Sequence, residues 1–255
     1  MVEYEVKNRV AYITLNRPER RNALSYELIA KLKEEFTQAE KDDAVKIIVL
    51  KANGKAFCSG ADLESLQQLQ KNTEEENLAD SRHLKELFQQ IYTLKKIVIA
   101  QVEGHALAGG CGLATVCDFV FAVPEAKFGY TEVKIGFIPA LVMVFLIRKI
   151  GEMNARYLLL SGELVSGDEA IKYGMVNRIV EKDNMQNAVD EFAQQLITNN
   201  SAQSMATTKK MIAEVSSMKL EEALDYAAKM NAKARSSEDC KRGIEAFLNK
   251  KPITW

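Results

Sequence analysis

Hydrophobic and polar positions alternate in short blocks at the start of the chain. Two β-rich runs, Tyr4–Val6 and Val10–Leu15, are separated by Lys7-Asn8-Arg9, and a turn-forming Asn there predicts a β-hairpin. Asn16-Arg-Pro then breaks the strand, since Pro18 biases its predecessor away from helix. From Ser25 to about Lys41 the residues Leu28, Ile29, Leu32 and Phe36 recur at helical spacing. The β-branched run Val45–Leu50 predicts a strand covered on both faces. A glycine-containing loop through residues 54–63 leads into a polar helical stretch ending near Leu94. Ile97–Val102 is a second buried-strand candidate, followed by a glycine cluster over 104–112 and another apolar run, Phe119–Val123. Beyond Gly151 the pattern turns helical, and Ser166-Gly-Asp-Glu169 has capping-box spacing. Val176–Val180 reads as a short strand, and Met185 to Leu248 as several helices without Gly before Gly243 or Pro before Pro252. Strand–helix alternation followed by a helical tail gives an α/β (mixed α+β) class.

Composition narrows the function classes. A chain of 255 residues, 47% hydrophobic, buries a full-sized core, so one large unit is the expectation. With 34 basic against 35 acidic residues, nothing attracts a polyanion, and no nucleic-acid partner is expected. The longest apolar stretch, Ile135 to Ile147, is interrupted by Gly136 and Pro139 and is too short to span a bilayer, so no membrane partner is expected either. No signal peptide is visible at the N-terminus, which gives a cytoplasmic expectation. Cys58, Cys111, Cys117 and Cys240 lack CxxC spacing and read as free thiols in a reducing compartment.

Two stretches have a build that can hold developing negative charge. Gly104-His-Ala-Leu-Ala-Gly109-Gly110-Cys111-Gly112 follows a strand and opens a small-residue helix, where free amides favour a phosphate or an oxyanion. Close helix–sheet packing without a ligand explains the same glycines equally well. Phe57-Cys-Ser-Gly60-Ala61-Asp62-Leu63 repeats the build, with Asp62 placed to cap a helix. There is no Gly-x-Ser-x-Gly and no relay for the two histidines, which argues against a serine hydrolase. The Ser-x-x-Lys match from Ser216 to Lys219 lies in ordinary helix. No His/Cys/Asp cluster has metal-ligand spacing, so no metal is expected.

The ordered set of motifs resembles the enoyl-CoA hydratase/isomerase (crotonase) signature. It comprises Asn16-Arg-Pro with Asn22-Ala-Leu, Ala56-Phe-Cys-Ser-Gly-Ala-Asp-Leu, Gly104-x-Ala-Leu-Ala-Gly-Gly-Cys and Cys117-Asp118. Phe128-Gly-Tyr-Thr-Glu132-Val-Lys-Ile-Gly136-Phe-Ile-Pro139 and the segment Leu160 to Ala170 with Gly174-Met-Val continue it. The resemblance implies a crotonase fold: a repeated ββα core over residues 1–195 and a C-terminal helical trimerisation region over 196–255. It implies an acyl-CoA thioester substrate, with coenzyme A entering as part of the substrate and no separate cofactor, and trimers or hexamers. Glu132 would be the catalytic acid/base, and the amides of Ala61 and Gly109 the oxyanion hole. Arg20, Arg21, Ala23, Leu24, Ser59, Gly60, Asp62 and Leu63 would line the coenzyme A groove. Gly110, Gly112, Tyr130 and Pro139 would meet the acyl portion, and Phe247 and Lys250 would approach from the tail. His105 keeps a structural place in the pattern, Asp118 caps or pairs, Cys58 and Cys111 serve as small buried hydrophobes, and His83 is expected on the surface.

Two departures leave the reaction open. Hydratases of the family place a second glutamate where this chain has Gly112, and continue after the proline with glycines where this chain has Ala140-Leu-Val-Met-Val-Phe-Leu. Two carboxylates suit hydration; one suits double-bond isomerisation or a glutaconyl-type decarboxylation. Bulky apolar groups there would dry the pocket and raise the pKa of Glu132. The loop Thr131-Glu-Val-Lys-x-Gly-x-Ile-Pro, by contrast, resembles methylglutaconyl-CoA hydratases, and a non-catalytic acyl-CoA-binding or RNA-binding relative is a further alternative.

Overall fold

The computed structural model describes residues 1–255, apart from the side chain of Leu63. Its first elements are the hairpin strands β1 (Val2–Lys7) and β2 (Val10–Leu15), paired in register from Val2↔Leu15 to Lys7↔Val10. Asn8 and Arg9 both have positive φ (51° and 65°), as a two-residue turn matching strand twist requires. Helix α1 (Tyr26–Lys41) starts where the Ser25 hydroxyl accepts from the Leu28 amide, and it buries Leu28, Ile29, Leu32 and Phe36.

A strand–strand–helix unit then recurs. β3 (Ile47–Ala52) and β4 (Ala56–Cys58) lead to α2 (Leu63–Leu69) and α3 (Glu74–Thr93). β5 (Ile97–Val102) and β6 (His105–Leu107) lead to α4 (Gly109–Thr115). β7 (Phe119–Ala122) and β8 (Lys127–Gly129) lead through a 3₁₀ turn, Glu132–Ile135, to α5 (Ala140–Ser161). β9 (Val165–Ser166), α6 (Gly167–Lys172) and β10 (Arg178–Ile179) complete the core strands, and α7 (Met185–Asn199), α8 (Ala202–Val215), α9 (Leu220–Arg235) and α10 (Glu238–Leu248) follow. The first strand of each unit joins a six-stranded sheet of order β1-β2-β3-β5-β7-β10, and the second joins a smaller sheet, β4-β6-β8-β9. This is the repeated ββα core that the resemblance implies, with Ile47–Leu50 and Val98–Ala100 fully buried between the layers.

Several expectations need correction. The helix expected beyond Gly151 begins at Ala140, because Ala140–Ile147 is apolar at every position and therefore shows no period; Gly151 (φ 76°, ψ 164°) is a kink within it. The single polar helix expected before Leu94 is two, α3 restarting at a capping box between Thr73 and Glu76. The strand expected over 176–180 shrinks to Arg178–Ile179. The boundary expected at 195/196 falls inside α7, whose Val189 and Ala193 are fully buried as it packs on β3, β5 and β7, so the core runs to Asn199. His83 is not at the surface. Its ring stacks on Tyr26 with centroids 3.9 Å apart, and its two nitrogens lie 3.0 Å from the Tyr26 carbonyl and 2.9 Å from Lys33 Nζ. Among the described residues, no helix is long and apolar enough to cross a membrane.

Candidate active site

Three parallel strands of the small sheet bring the chemistry together. β4 and β6 pair through Ala56↔His105, and β6 and β8 through Ala106↔Phe128, so their C-terminal ends open side by side. From those ends run the segments carrying Ala61, Gly109 and Glu132. Alignment of strand ends therefore gathers residues that are 71 positions apart in sequence, from Ala61 to Glu132.

The two amides are left open by the local folding. Leu24 forms an isolated parallel bridge with Ala61, in which Leu24 N–H donates to the Gly60 carbonyl and Asp62 N–H donates to Leu24. That pattern uses the amides on either side and leaves the Ala61 N–H without a backbone acceptor among the described residues. Gly109 is the first residue of α4, and its N–H is one that a helix cannot satisfy. The two turns touch. Gly60 has φ 90°, and a Cβ there would come within 2.9 Å of the Ala108 side chain and 3.1 Å of the Leu107 carbonyl, so only glycine lets β4's loop lie against β6's.

Glu132 follows β8, two residues after the fully buried Tyr130. Its Oε2 is buried with no hydrogen-bond partner among the described residues, and burial pushes its carboxyl above the usual carboxylate range, a backbone hydrogen bond opposing this only in part. Such a group holds or takes a proton readily, as an acid/base needs. Gly112 lies one helical turn into α4, and a Cβ there would stand 2.3 Å from Val142 Cγ1 and 3.2 Å from the Phe88 ring. The first turn of α5 thus occupies the space a side chain at 112 needs. The two sequence departures are one packing solution.

The sequence profile described as Enoyl-CoA hydratase/isomerase matches residues 5–255. The chain belongs to this family. A Thermus thermophilus protein, provisionally named an enoyl-CoA hydratase, is 43% identical over 252 residues, 99% of each chain. The crotonyl-CoA hydratase of Syntrophomonas wolfei is 30% identical over 257 residues, covering 98% of this chain and 96% of that one. Among solved structures, the enoyl-CoA hydratase of Mycobacterium smegmatis superposes with a TM-score of 0.93 at 30% identity, covering 100% of this chain and 98% of its own.

The other residues expected at the site divide in two. Arg20 and Arg21 are exposed on the turn before Ala23 and Leu24, which are buried, and Ser59 N–H donates to the Arg21 carbonyl, tying that turn to β4's loop. Pro139 caps α5 beside the exposed Phe137 and Ile138. Gly110 packs under Cys58 within the wall of the site. Leu63 lies outside the described side chains. Two assignments to substrate contact are corrected. Asp62 is only 4% exposed, accepts from the Glu64 amide as the cap of α2, and pairs with Arg17 at 3.5 Å. Tyr130 is fully buried with its hydroxyl 2.8 Å from Thr115 Oγ1, so it offers no surface to a ligand. Phe247 and Lys250 are on α10 and its tail, which pack on α9 and Trp255 and do not join the cluster within one chain.

Arg17 and Asn22 were quoted in the signature without a role, and the structure supplies one. Asn22 accepts from the Arg17 amide and donates to the carbonyls of Asn53 and Ala56, while Arg17 donates to Ala23 and Ser25 and pairs with Asp62. Together they hold residues 20–24 against the Ala61 turn. His105 is exposed and accepts from the Lys127 amide, away from the amide cluster. Asp118 pairs with Lys209 at 2.7 Å and accepts from Val98, a structural role as expected. Burial pushes the Cys58 and Cys111 thiols up to about 12. A cavity of about 850 Å³ lined by Thr115, Phe145, Lys149, Met205 and Trp255 lies at the other end of α4 and includes neither Glu132 nor the two amides.

Proposed function

We propose that this chain is an enoyl-CoA hydratase-type enzyme in which Glu132 moves a proton to or from a thioester enolate. The thioester oxygen accepts from the amides of Ala61 and Gly109, and each such donor contributes about 3–4 kcal/mol to the transition state. In hydration, the Glu132 carboxylate takes a proton from water as the water oxygen bonds to the β-carbon of a 2-enoyl thioester, and the neutral acid so formed gives that proton to the α-carbon of the enolate. The observation that carries this reading is the buried, unpartnered Glu132 oxygen on the same row of strand ends as two unpaired amides. The names of the relatives favour hydration, and the loop from Thr131 to Pro139 favours a methylglutaconyl-type acyl group. Exposed Ile135, Phe137 and Ile138 beside the site call for cover by the acyl chain or by further copies in a trimer or hexamer.

One observation favours a second reading. With position 112 closed by Val142 and Phe88, Glu132 is the one carboxylate family-matched to the reacting carbons. A lone carboxylate that takes the proton from C2 of a 3-enoyl thioester and returns it to C4 shifts the double bond without needing water. Assays of 2-enoyl, methylglutaconyl and 3-enoyl thioesters in oxygen-18 water separate the two. Label entering the product supports hydration; rapid isomerisation without label overturns it in favour of the single-acid reaction.

A further inference from the structure

The proposed chemistry depends on one spacing, from the Gly109 amide at the start of α4 to the Glu132 carboxyl beyond β8. A backbone bond ties the two segments near the amide, where Ala108 N–H donates to the Gly129 carbonyl at 2.8 Å. At the other end of α4, six residues and about 9 Å further along, the Thr115 hydroxyl meets the Tyr130 hydroxyl at 2.8 Å. A single tie would let the Glu132 segment pivot; two ties at opposite ends of one helix fix its direction. Lys149 Nζ, from α5, secures the same helix end by donating to the carbonyls of Thr115 and Cys117. Thr115 and Tyr130 are both buried, and a phenylalanine would fill nearly the same volume without bringing a polar atom into the core.

From this arrangement we infer that Tyr130 is a positioning residue: its hydroxyl, bonded to Thr115, sets the direction in which Glu132 presents its carboxyl to a thioester held at Gly109. The inference rests on the enolate reading above. Its test compares Tyr130→Phe, Thr115→Val, the conservative Thr115→Ser and the Tyr130→Phe/Thr115→Val pair. The readouts are solvent-deuterium uptake at the α-carbon of butyryl-CoA, kcat and KM on an enoyl thioester, and the thermal midpoint. Tyr130→Phe lowers exchange and kcat about tenfold or more while KM stays within about twofold, as a misdirected catalytic group requires. Thr115→Ser keeps the parental rate, and the pair is no slower than its slower member. Full exchange in a folded Tyr130→Phe enzyme overturns the inference alone, as does a loss that follows KM or the thermal midpoint. A parent that takes up no deuterium overturns the enolate reading and this inference with it.

Discussion

Adding one methyl group at Gly112 measures how firmly the second acid position is closed. In Gly112→Ala the new Cβ stands 2.3 Å from Val142 Cγ1, far inside contact distance, with the Phe88 ring at 3.2 Å behind it. All three side chains are buried, so α4 and α5 must part or Val142 must leave its rotamer, an overpacking cost of about 1–3 kcal/mol. Alanine regains up to about 1 kcal/mol of helix propensity, which leaves a net loss of up to about 2 kcal/mol. Val142→Ala alone loses two buried methyl groups, about 1.6 kcal/mol by transfer with a cavity term added. In the double variant the colliding methyl is gone and the new one fills the space, so its loss falls short of the sum by about 2–3 kcal/mol. Urea unfolding of the four proteins of this cycle reads the coupling directly. Additivity within about 0.5 kcal/mol would refute the packing argument and with it the claim that Val142 takes the place of a side chain at 112.

Gly109→Pro removes one oxyanion donor at a first helical position that tolerates proline, and turnover should fall about 100- to 1000-fold while the chain stays folded; near-parental rates would remove the oxyanion argument. The carboxyl of Glu132 is raised by burial, so its neutral form favours the fold: that stability is complete below the unfolded pKa and is lost as pH rises through the higher folded value. Glu132→Gln should therefore unfold at higher urea than the parent at pH 7 and lose that advantage below pH 4; an advantage independent of pH would contradict the shift. With Cys58, Cys111 and Cys117 buried and pushed up to about 12, only half-exposed Cys240 should react promptly with a thiol reagent at pH 8, against four thiols after unfolding. A second promptly reacting thiol in the native protein would show that the core is looser than described.

The sequence carried the strands and the order of elements well, because β-branched runs such as Ile97–Val102 and a capped amphipathic helix such as Tyr26–Lys41 are local signals. Helix α5 was hidden for the opposite reason: its first two turns are apolar at exposed positions such as Met143, Val144 and Ile147 as well as at buried Val142 and Leu146, which erases the period that announces a helix. The site was legible as a set of turns, since Gly60 and Gly109 are needed where strand ends crowd together. The capping role of Asp62 was legible too, since its carboxylate accepts from the Glu64 amide at the start of α2. What could not be read was direction: Tyr130 stands beside Glu132 in sequence, yet turns inward to Thr115, and only the pairing of β6 and β8 decides that. The collision between position 112 and Val142 spans 30 residues and has no local signature, although both departures were visible separately.

The central claim is that Glu132 transfers the proton of a thioester enolate held by the amides of Ala61 and Gly109. Its most direct test is the rate of deuterium uptake from heavy water at the α-carbon of butyryl-CoA by the parent and by Glu132→Gln at saturating thioester. The amide of Gln keeps the size and polarity of the side chain and cannot accept the proton, so uptake should fall about a hundredfold or more with thioester affinity unchanged. Uptake by Glu132→Gln within a fewfold of the parent would contradict the account and assign the proton to another group.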